Sequence, residues 1–140
     1  MALPAHWTRI SEKAFTRQVI QLAQHCGYKV AHFRPAMVKC KTCRGRGCRR
    51  CTNTGMSWRT AVEGDGKGFV DLVMVHRKKA RLIFAELKSE TGKVDDDQND
   101  WIECLLAVSD RLRKYGSHLE VIVHVWKPSD IANIEQILKG

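Results

Sequence analysis

Four cysteines are the sequence feature that most restricts how this chain can fold. They form two consecutive eight-residue units, residues 40–47 and 48–55, each of which begins with C-x-x-C and ends in glycine. Residues 34–60 show no apolar periodicity, so this segment cannot build a hydrophobic core of its own. Four thiolates form the ligand set of a closed tetrahedral zinc site, and zinc binding would supply the free energy that orders the segment. The sequence therefore predicts a zinc-binding insertion at residues 36–60.

The predicted zinc ligands are Cys40, Cys43, Cys48 and Cys51. The first unit resembles the CxxCxGxG knuckle of DnaJ-type zinc domains, and the second unit matches that knuckle except at the inner glycine. A site with four cysteines has no open coordination position, so this zinc is predicted to be structural rather than catalytic. Disulfides are the alternative, but residues 1–10 lack the apolar region of a secretion signal.

The basic residues are concentrated in the first half of the chain. Residues 1–62 contain 12 Lys and Arg and a single acid, whereas residues 63–140 contain 12 basic and 14 acidic residues. A positive field confined to one region favours polyanions such as nucleic acid. We expect six basic side chains of the insertion to grip a sugar-phosphate backbone: Lys39, Lys41, Arg44, Arg46, Arg49 and Arg50. The alternative is that zinc only closes a loop and these side chains are solvated.

The rest of the chain predicts one α/β domain that spans residues 1–140. Its length suits a single domain, and its 44% hydrophobic and 28% charged residues are typical of a globular protein. The patterns predict a helix from Ser11 to Gly27, strands at 28–33, 69–75, 81–88 and 119–126, a helix at 97–115 and a final helix after Pro128. The order αβββαβα indicates a small mixed sheet flanked by helices.

Some details of the second helix are also predicted. Asp97 is the expected N-cap, and Trp101, Leu105, Val108 and Leu112 form the expected apolar face. The two cysteines outside the insertion, Cys26 and Cys104, lie on apolar helix faces and are predicted to be core residues.

Two acidic residues are predicted to face each other across the central hairpin. With the turn centred between Lys78 and Lys79, Asp71 lies opposite Glu86, and Lys88 lies on the same face of the sheet. Directly opposed Cβ atoms are about 4.5 to 5.5 Å apart, so the two acids repel each other unless a divalent cation neutralises them. The alternatives are that both acids lie in water at frayed strand ends, or that Lys88 only forms an ion pair with Glu86. A shift of the register by one residue would separate the acids.

These residues resemble the motif of the PD-(D/E)XK nuclease superfamily, with Val70 where the superfamily name implies proline. A longer ordered set resembles the VRR-NUC domain, and it consists of residues 11–12, 68–72, 84–89, Gln98, Trp101 and 125–128. The resemblance covers nearly the whole chain except the cysteine insertion. It implies a restriction-endonuclease-like αβββαβ core into which the zinc insertion is built.

The resemblance also implies roles for the acidic hairpin. Asp71 and Glu86 would bind Mg²⁺ or Mn²⁺ together with the carbonyl oxygen of Leu87, all oxygen donors that suit such cations. Lys88 would orient or help to deprotonate the attacking water and would stabilise charge on the phosphate.

Two further side chains would complete the site. Glu12, on the first helix, would be a ligand of the metal or of water, and Gln98 would be a supporting polar residue. The alternatives are that Glu12 only interacts with the helix dipole and that Gln98 only belongs to a helix cap.

The expected activity is Mg²⁺- or Mn²⁺-dependent endonucleolytic hydrolysis of DNA phosphodiester bonds. The resemblance to small stand-alone family members implies branched DNA such as Holliday junctions, in repair, recombination or phage replication, and a homodimer that cuts two strands. The alternatives are a zinc-stabilised nucleic-acid-binding module with a vestigial nuclease site, and a nickase or restriction-like enzyme on ordinary duplex. Without a secretion signal or an apolar run of membrane-spanning length, we expect a cytoplasmic protein, bacterial or from a phage-infected host cell.

Overall fold

The computed structural model describes residues 9–34, 36–59 and 62–140. These residues divide into two compact units. The large unit is formed by the chain up to His32 and from Gly68 onward, and the cysteine unit is formed by Phe33–Lys67. The helices and strands are α1 (Glu12–His25), β1 (Lys29–His32), β2 (Ala36–Lys39), β3 (Met56–Arg59), β4 (Leu72–His76), β5 (Arg81–Leu87), α2 (Asp96–Lys114), β6 (Glu120–Trp126) and α3 (Ile131–Lys139).

The large unit contains a four-stranded mixed sheet in the order β1-β4-β5-β6. The pairs β1–β4 and β4–β5 are antiparallel, while β5 and β6 are parallel. Parallel strands need a crossover connection, and α2 provides it. The predicted αβββαβ core and its final helix are therefore confirmed.

Helices cover both faces of this sheet. On one face α1 and α3 pack over a core that includes Phe15, Val19, Leu72, Met74, Ile83, Ile134 and Leu138. On the other face Ile102 of α2 packs with Val70, Val121 and Val123. Successive strand residues point to opposite faces, which is why Leu72 belongs to the first core and Val73 to the second.

The predicted register of the central hairpin is confirmed. Val73 pairs with Phe84 and Val75 with Leu82. The last pair of the ladder is Leu72 with Ala85, so Asp71 is the next residue beyond the ladder. Because side chains alternate between faces, this register determines that Glu86 points to the α2 side of the sheet.

The predicted N-cap of α2 is wrong by two residues. Asp95 is the N-cap, and Asp97 lies in the first helical turn. Asp95 and Gln98 form a capping box, in which each side chain accepts a hydrogen bond from the backbone of the other residue. This reciprocal pair satisfies two free N–H groups, so the helix begins there.

The predicted inner face of α2 is partly wrong. Val108 is 53% exposed, whereas Ser109 is buried and its hydroxyl donates to the carbonyl oxygen of Val121 at 2.5 Å. The face that contains Val108 and the face that contains Ser109 both fit helical spacing. Because Ser109 is polar, the pattern of apolar residues did not identify its face as the buried one. Cys104 is also exposed, contrary to expectation, whereas Cys26 is half-buried and packs against the first core.

The cysteine unit contains an antiparallel hairpin that sequence patterns did not predict. Strands β2 and β3 pair from Ala36 with Arg59 to Lys39 with Met56. Each strand has only four residues, which is too short to show a clear alternation. In the part of the chain that the structure describes, no helix is both long enough and apolar enough to span a membrane.

Candidate active site and metal centre

Asp71 is tied to the strand that carries the second acid. It lies in a bend just before β4, and its Oδ2 accepts a hydrogen bond from the backbone N–H of Leu87 at 2.8 Å. Partial burial and the negative charge of Glu12 raise the pKa of Asp71, although the Leu87 N–H and the charge of Lys88 act in the opposite direction. The structure thus brings Asp71 and residues 86–88 together, as the hairpin register predicts.

Glu86 is completely buried. Its Oε1 lies 2.9 Å from the Lys88 ammonium and also accepts a hydrogen bond from Gln98 Nε2. Its Oε2 is buried without a hydrogen-bond partner among the described residues. Burial, with the charges of Asp71 and Glu12, raises the pKa of Glu86 to about 7 despite the nearby Lys88. A buried carboxylate oxygen without a partner is costly, and a cation would satisfy it.

Lys88 directly follows β5 and extends its pairing with β6. Its backbone N–H donates to the carbonyl oxygen of Trp126 at 2.9 Å, and its side chain is 13% exposed. Burial disfavours the ammonium form, but the hydrogen bond and charge of Glu86 outweigh it and raise the pKa of Lys88. Lys88 is therefore a cation at neutral pH, which suits the stabilisation of negative charge.

Gln98 connects the N-terminus of α2 to the acidic pair. Its Oε1 accepts a hydrogen bond from the Asp95 backbone N–H at 3.1 Å, and Asp95 Oδ1 accepts from the Gln98 backbone N–H at 2.9 Å. With its oxygen directed at Asp95, the amide presents Nε2 to Glu86. Gln98 therefore caps the helix and contacts the acidic site at the same time.

A glycine permits the close approach of α2 to this site. Gly68 has φ +78°, and a Cβ atom at this residue would lie 2.4 Å from the backbone carbon of Asp97. Only glycine combines that backbone conformation with such a short distance at low cost. Gly68 thus allows the chain leading to Asp71 to touch the first turn of the helix that carries Gln98.

Glu12 and His32 influence the site through their charges. Glu12 is the first residue of α1 and is exposed, and its charge raises the pKa of Asp71, Glu86 and Lys88. His32 ends β1 opposite Leu72, and its charge lowers the pKa of Asp71. Sequence reasoning missed His32 and also Asp95, because only strand pairing and the capping box reveal their positions.

The four cysteines of the other unit have the geometry of a metal centre. Their Sγ atoms all lie within 4.8 Å of one another. The distance is 3.8 Å between Cys40 and Cys48 and 3.7 Å between Cys43 and Cys51. A tetrahedral zinc site with Zn–S bonds of about 2.3 Å requires sulfur–sulfur distances of about 3.8 Å. The four thiols are therefore placed to hold a metal such as zinc.

Backbone N–H groups point at these sulfurs. Gly47 N–H donates to Cys43 Sγ at 3.1 Å, and the N–H groups of Cys48 and Gly55 donate to Cys51 Sγ at 3.3 and 3.2 Å. Although burial opposes ionisation of Cys51, the bonds from Cys48 and Gly55 help to lower the pKa of its thiol to about 6. Such donors stabilise a thiolate, which is the form that binds a metal.

The two C-x-x-C units have matching backbones. After the second cysteine, Arg44 and Gly45 in the first unit and Thr52 and Asn53 in the second all have positive φ. Asn53 thus takes the place of the inner glycine, and asparagine is one of the few residues that tolerate this conformation. A Cβ atom at Gly55 would lie 2.4 Å from the Gly45 carbonyl oxygen, so the last glycine lets the two units touch.

Six basic side chains of the insertion are exposed: Lys39, Lys41, Arg44, Arg46, Arg49 and Arg50. No acidic residue occurs among residues 34–60. Trp58, on β3, is also exposed, at 68%. Residues 36–59 therefore present these cations and the large aromatic side chain of Trp58 to solvent.

Comparison with known protein families identifies a match that covers most of the chain. The family model of the VRR-NUC domain matches residues 21–125. Asp71, Glu86, Lys88 and Gln98 lie within the matched residues, as do the four clustered cysteines, while Glu12 lies before them. No curated protein and no solved structure matches the chain.

Proposed function

Because the chain belongs to the VRR-NUC domain family, which implies a nuclease and DNA as its substrate, we propose that it is a metal-dependent endodeoxyribonuclease. Its active centre is formed by Asp71, Glu86 and Lys88. The observation that carries this proposal is the buried Oε2 of Glu86, which has no hydrogen-bond partner among the described residues and lies beside a second acid.

Mg²⁺ or Mn²⁺ is the cation that suits these oxygen donors. Glu86 Oε2, Asp71 and the carbonyl oxygen of Leu87 would hold it. Because Asp71 Oδ2 already accepts from the Leu87 N–H, we assign its Oδ1 to the cation. The bound cation lowers the pKa of water and offsets negative charge on the phosphate.

The chain's own side chains would position the reactants. Lys88, a cation held 2.9 Å from Glu86, is placed to orient the attacking water and to stabilise the charge of the phosphate. Gln98 keeps the Glu86 carboxylate in one orientation through its Nε2. Glu12 adds negative charge, and we assign it as a ligand of the metal or of water.

The cysteine unit supplies DNA affinity in this proposal. Zinc held by the four cysteines would fix the backbone that carries the six basic residues, and these side chains would contact phosphates. We regard residues 36–60 as an insertion in one domain of residues 1–140, since β1 and β4, on either side of it, are paired neighbours in one sheet.

Branched DNA such as a four-way junction is the proposed substrate, and a homodimer would cut its two strands. A nickase or restriction-like activity on ordinary duplex uses the same chemistry and is the alternative. A binding module with a vestigial site is disfavoured, because a charged Glu86 buried at 0% exposure is costly in a protein that makes no use of it.

The test is cleavage with Mg²⁺ or Mn²⁺ of a four-way junction, a linear duplex and single strands of the same sequence. Glu86→Gln keeps the side-chain shape and removes the charge, so we expect cleavage to be lost. Glu103→Gln is the matched control, because Glu103 is an exposed acid that accepts a hydrogen bond from Asn99. It should leave cleavage unchanged.

Each outcome separates the candidates. Unchanged cleavage by Glu86→Gln would contradict the assigned active centre. Tight binding without cleavage by the wild-type protein would favour the binding module. Selective cutting of the junction supports the branched substrate, and equal cutting of the linear duplex supports the nickase or restriction-like enzyme.

A further inference from the structure

Two apolar side chains face each other on the surface of the cysteine unit. Met37 and Trp58 are register partners in the β2–β3 hairpin, and they are 54% and 68% exposed. Directly opposed side chains in an antiparallel pair lie on one face about 4.5 to 5.5 Å apart at Cβ. The pair therefore forms one continuous apolar surface, here called the Trp58 platform.

The surroundings of the platform are cationic. Lys39 is two residues from Met37 on the same strand, so it lies on the same face of the hairpin and is exposed. Five further exposed basic side chains belong to the same unit: Lys41, Arg44, Arg46, Arg49 and Arg50. Residues 34–60 contain no acid, and the exposed acids of the unit, Glu63 and Asp65, follow β3 in the chain. A partner that complements residues 36–59 must be a polyanion that also carries apolar faces.

We propose that the Trp58 platform stacks against an unpaired base of single-stranded DNA while the basic side chains hold its phosphates. This inference rests on the proposed function in one respect, namely that the polyanion is DNA. In a duplex each base face is covered by its neighbours, so an exposed indole ring has no face to stack on. An unpaired base offers its face freely, whatever its identity.

The proposal narrows the substrate class of the nuclease. A substrate that contains unpaired nucleotides would engage both the platform and the basic side chains, while a fully paired duplex would engage only the basic side chains. Stacking has little sequence preference, because every base has an aromatic face. The cysteine unit would therefore select DNA by the presence of an unpaired region.

The test measures binding of the zinc-loaded full chain to a labelled oligothymidine and to a duplex of the same length. Fluorescence anisotropy without added Mg²⁺ or Mn²⁺ reads binding independently of cleavage. For Trp58→Ala we expect affinity for the single strand to fall roughly tenfold or more and affinity for the duplex to change less than about twofold. Trp58→Phe keeps a ring and should retain part of the affinity.

The matched control is Tyr115→Ala. Tyr115 is an 80% exposed aromatic residue of the large unit, and its removal should leave both affinities unchanged. The salt dependence of binding provides a second readout. Trp58→Ala removes no phosphate contact, so the slope of log affinity against log salt should be the same as in the wild-type protein.

Zinc content is measured for every variant, so that a loss of folding is not mistaken for a loss of stacking. If Trp58→Ala loses zinc, the comparison of Trp58→Phe with Trp58→Leu decides, because leucine keeps an apolar side chain without a ring. Equal affinities of these two variants for the single strand would overturn the proposal.

Three other results would also overturn it: an equal loss on single strand and duplex, no loss on either, or no single-strand binding by the wild-type protein. The last result would exclude single-stranded DNA as the occupant of the platform. The cleavage test remains separate. If single-strand binding depends on Trp58 but the protein cleaves no DNA, only the proposed nuclease function is overturned. If the protein cleaves DNA but shows no such binding, only the proposed stacking on the Trp58 platform is overturned.

Discussion

Gln98 Nε2 donates a hydrogen bond to Glu86 Oε1, and this contact joins the first turn of α2 to the buried acid of β5. The same side chain completes the capping box with Asp95. A helix start and an acidic site thus depend on one amide group. Changes at the cap should therefore reach the site.

Removal of the N-cap tests this coupling. Asp95→Ala should lower the free energy of unfolding by about 1 kcal/mol, because Gln98 N–H loses its acceptor. It should also slow cleavage, because fraying of the first turn of α2 would displace the Gln98 amide from Glu86, although the substitution keeps the backbone N–H of residue 95 that donates to Gln98 Oε1. Thermal unfolding and the cleavage rate are the measurements.

Asp96→Ala is the control, since Asp96 is an exposed first-turn acid that is not the N-cap. Asp95→Asn, which keeps a capping oxygen, should restore both properties. A cleavage rate that stays at the wild-type value in Asp95→Ala would contradict a positioning role for this residue.

The raised pKa of Glu86 predicts an unusual pH dependence of stability. Its pKa is about 7 in the folded protein and about 4.3 in an unfolded chain. Between these values the folded state binds more protons than the unfolded state, so stability decreases as pH rises through this range. Between about pH 5 and about pH 8, Glu86 should lower the free energy of unfolding by up to about 3 kcal/mol.

The measurement is the free energy of unfolding of the wild-type protein minus that of Glu86→Gln, without Mg²⁺ or Mn²⁺. The subtraction cancels the protonation of the zinc ligands. This difference should fall from about pH 5.5 to about pH 8, and added Mg²⁺ should reduce the fall. A difference that rises with pH would contradict the assigned burial of Glu86.

Gly68 provides a steric test of the approach of α2. Gly68→Ala should destabilise the protein by about 1 to 3 kcal/mol and slow cleavage, because the new Cβ would lie 2.4 Å from the Asp97 backbone. Gly116→Ala separates this contact from backbone strain, since Gly116 has φ +68° and no atom within 4 Å of an added Cβ. If both variants lower the free energy of unfolding by the same amount, the close contact with Asp97 adds nothing to the effect of backbone strain.

Zinc removal should affect the two units differently. The buried side chains grouped in the cysteine unit are Cys40, Cys43 and Cys51, whereas the large unit has two apolar cores of its own. Cys43→Ser should therefore lower zinc content and disorder residues 36–59 while the large unit stays folded. Amide spectra recorded by NMR would show this difference. Global unfolding of Cys43→Ser would contradict it, and Cys104→Ser, at an exposed cysteine, is the control.

The arginines of the cysteine unit should contribute to the salt dependence of DNA binding. If Arg49 and Arg50 each contact one phosphate, their replacement by alanine should reduce the slope of log affinity against log salt on duplex DNA by about 1.8. Exposed Arg113 and Lys114 of the large unit serve as the control pair. An unchanged slope for the first pair would contradict its contact with phosphates.

Much of the fold could be predicted because its signals are local. Ser11 accepts the hydrogen bond of Ala14 N–H that starts α1, as its position before the apolar pattern indicates. The hairpin register follows from a short connection between two alternating strands, and it places Asp71 beside residues 86–88. The C-x-x-C spacing likewise brings four sulfurs within reach of one metal.

The errors arose where several residues offered the same local signal. Asp95, Asp96 and Asp97 can each cap a helix, and the capping box with Gln98 selected the first. Val108 and Ser109 both fit an inner helical face, and the bond from Ser109 to Val121 selected the polar one. In each case the choice depended on a partner that helical spacing does not reveal.

The sequence by itself determined the order of the elements in the large unit, the register of the central hairpin and the cysteine cluster. Only the tertiary structure decided that Glu86 is completely buried with an oxygen that has no partner in the described chain, and that Trp58 is exposed. The physical reason is that burial, and the pKa shift that follows from it, is a sum over neighbours from distant parts of the chain. Those neighbours are known only once the sheet and its covering helices have assembled.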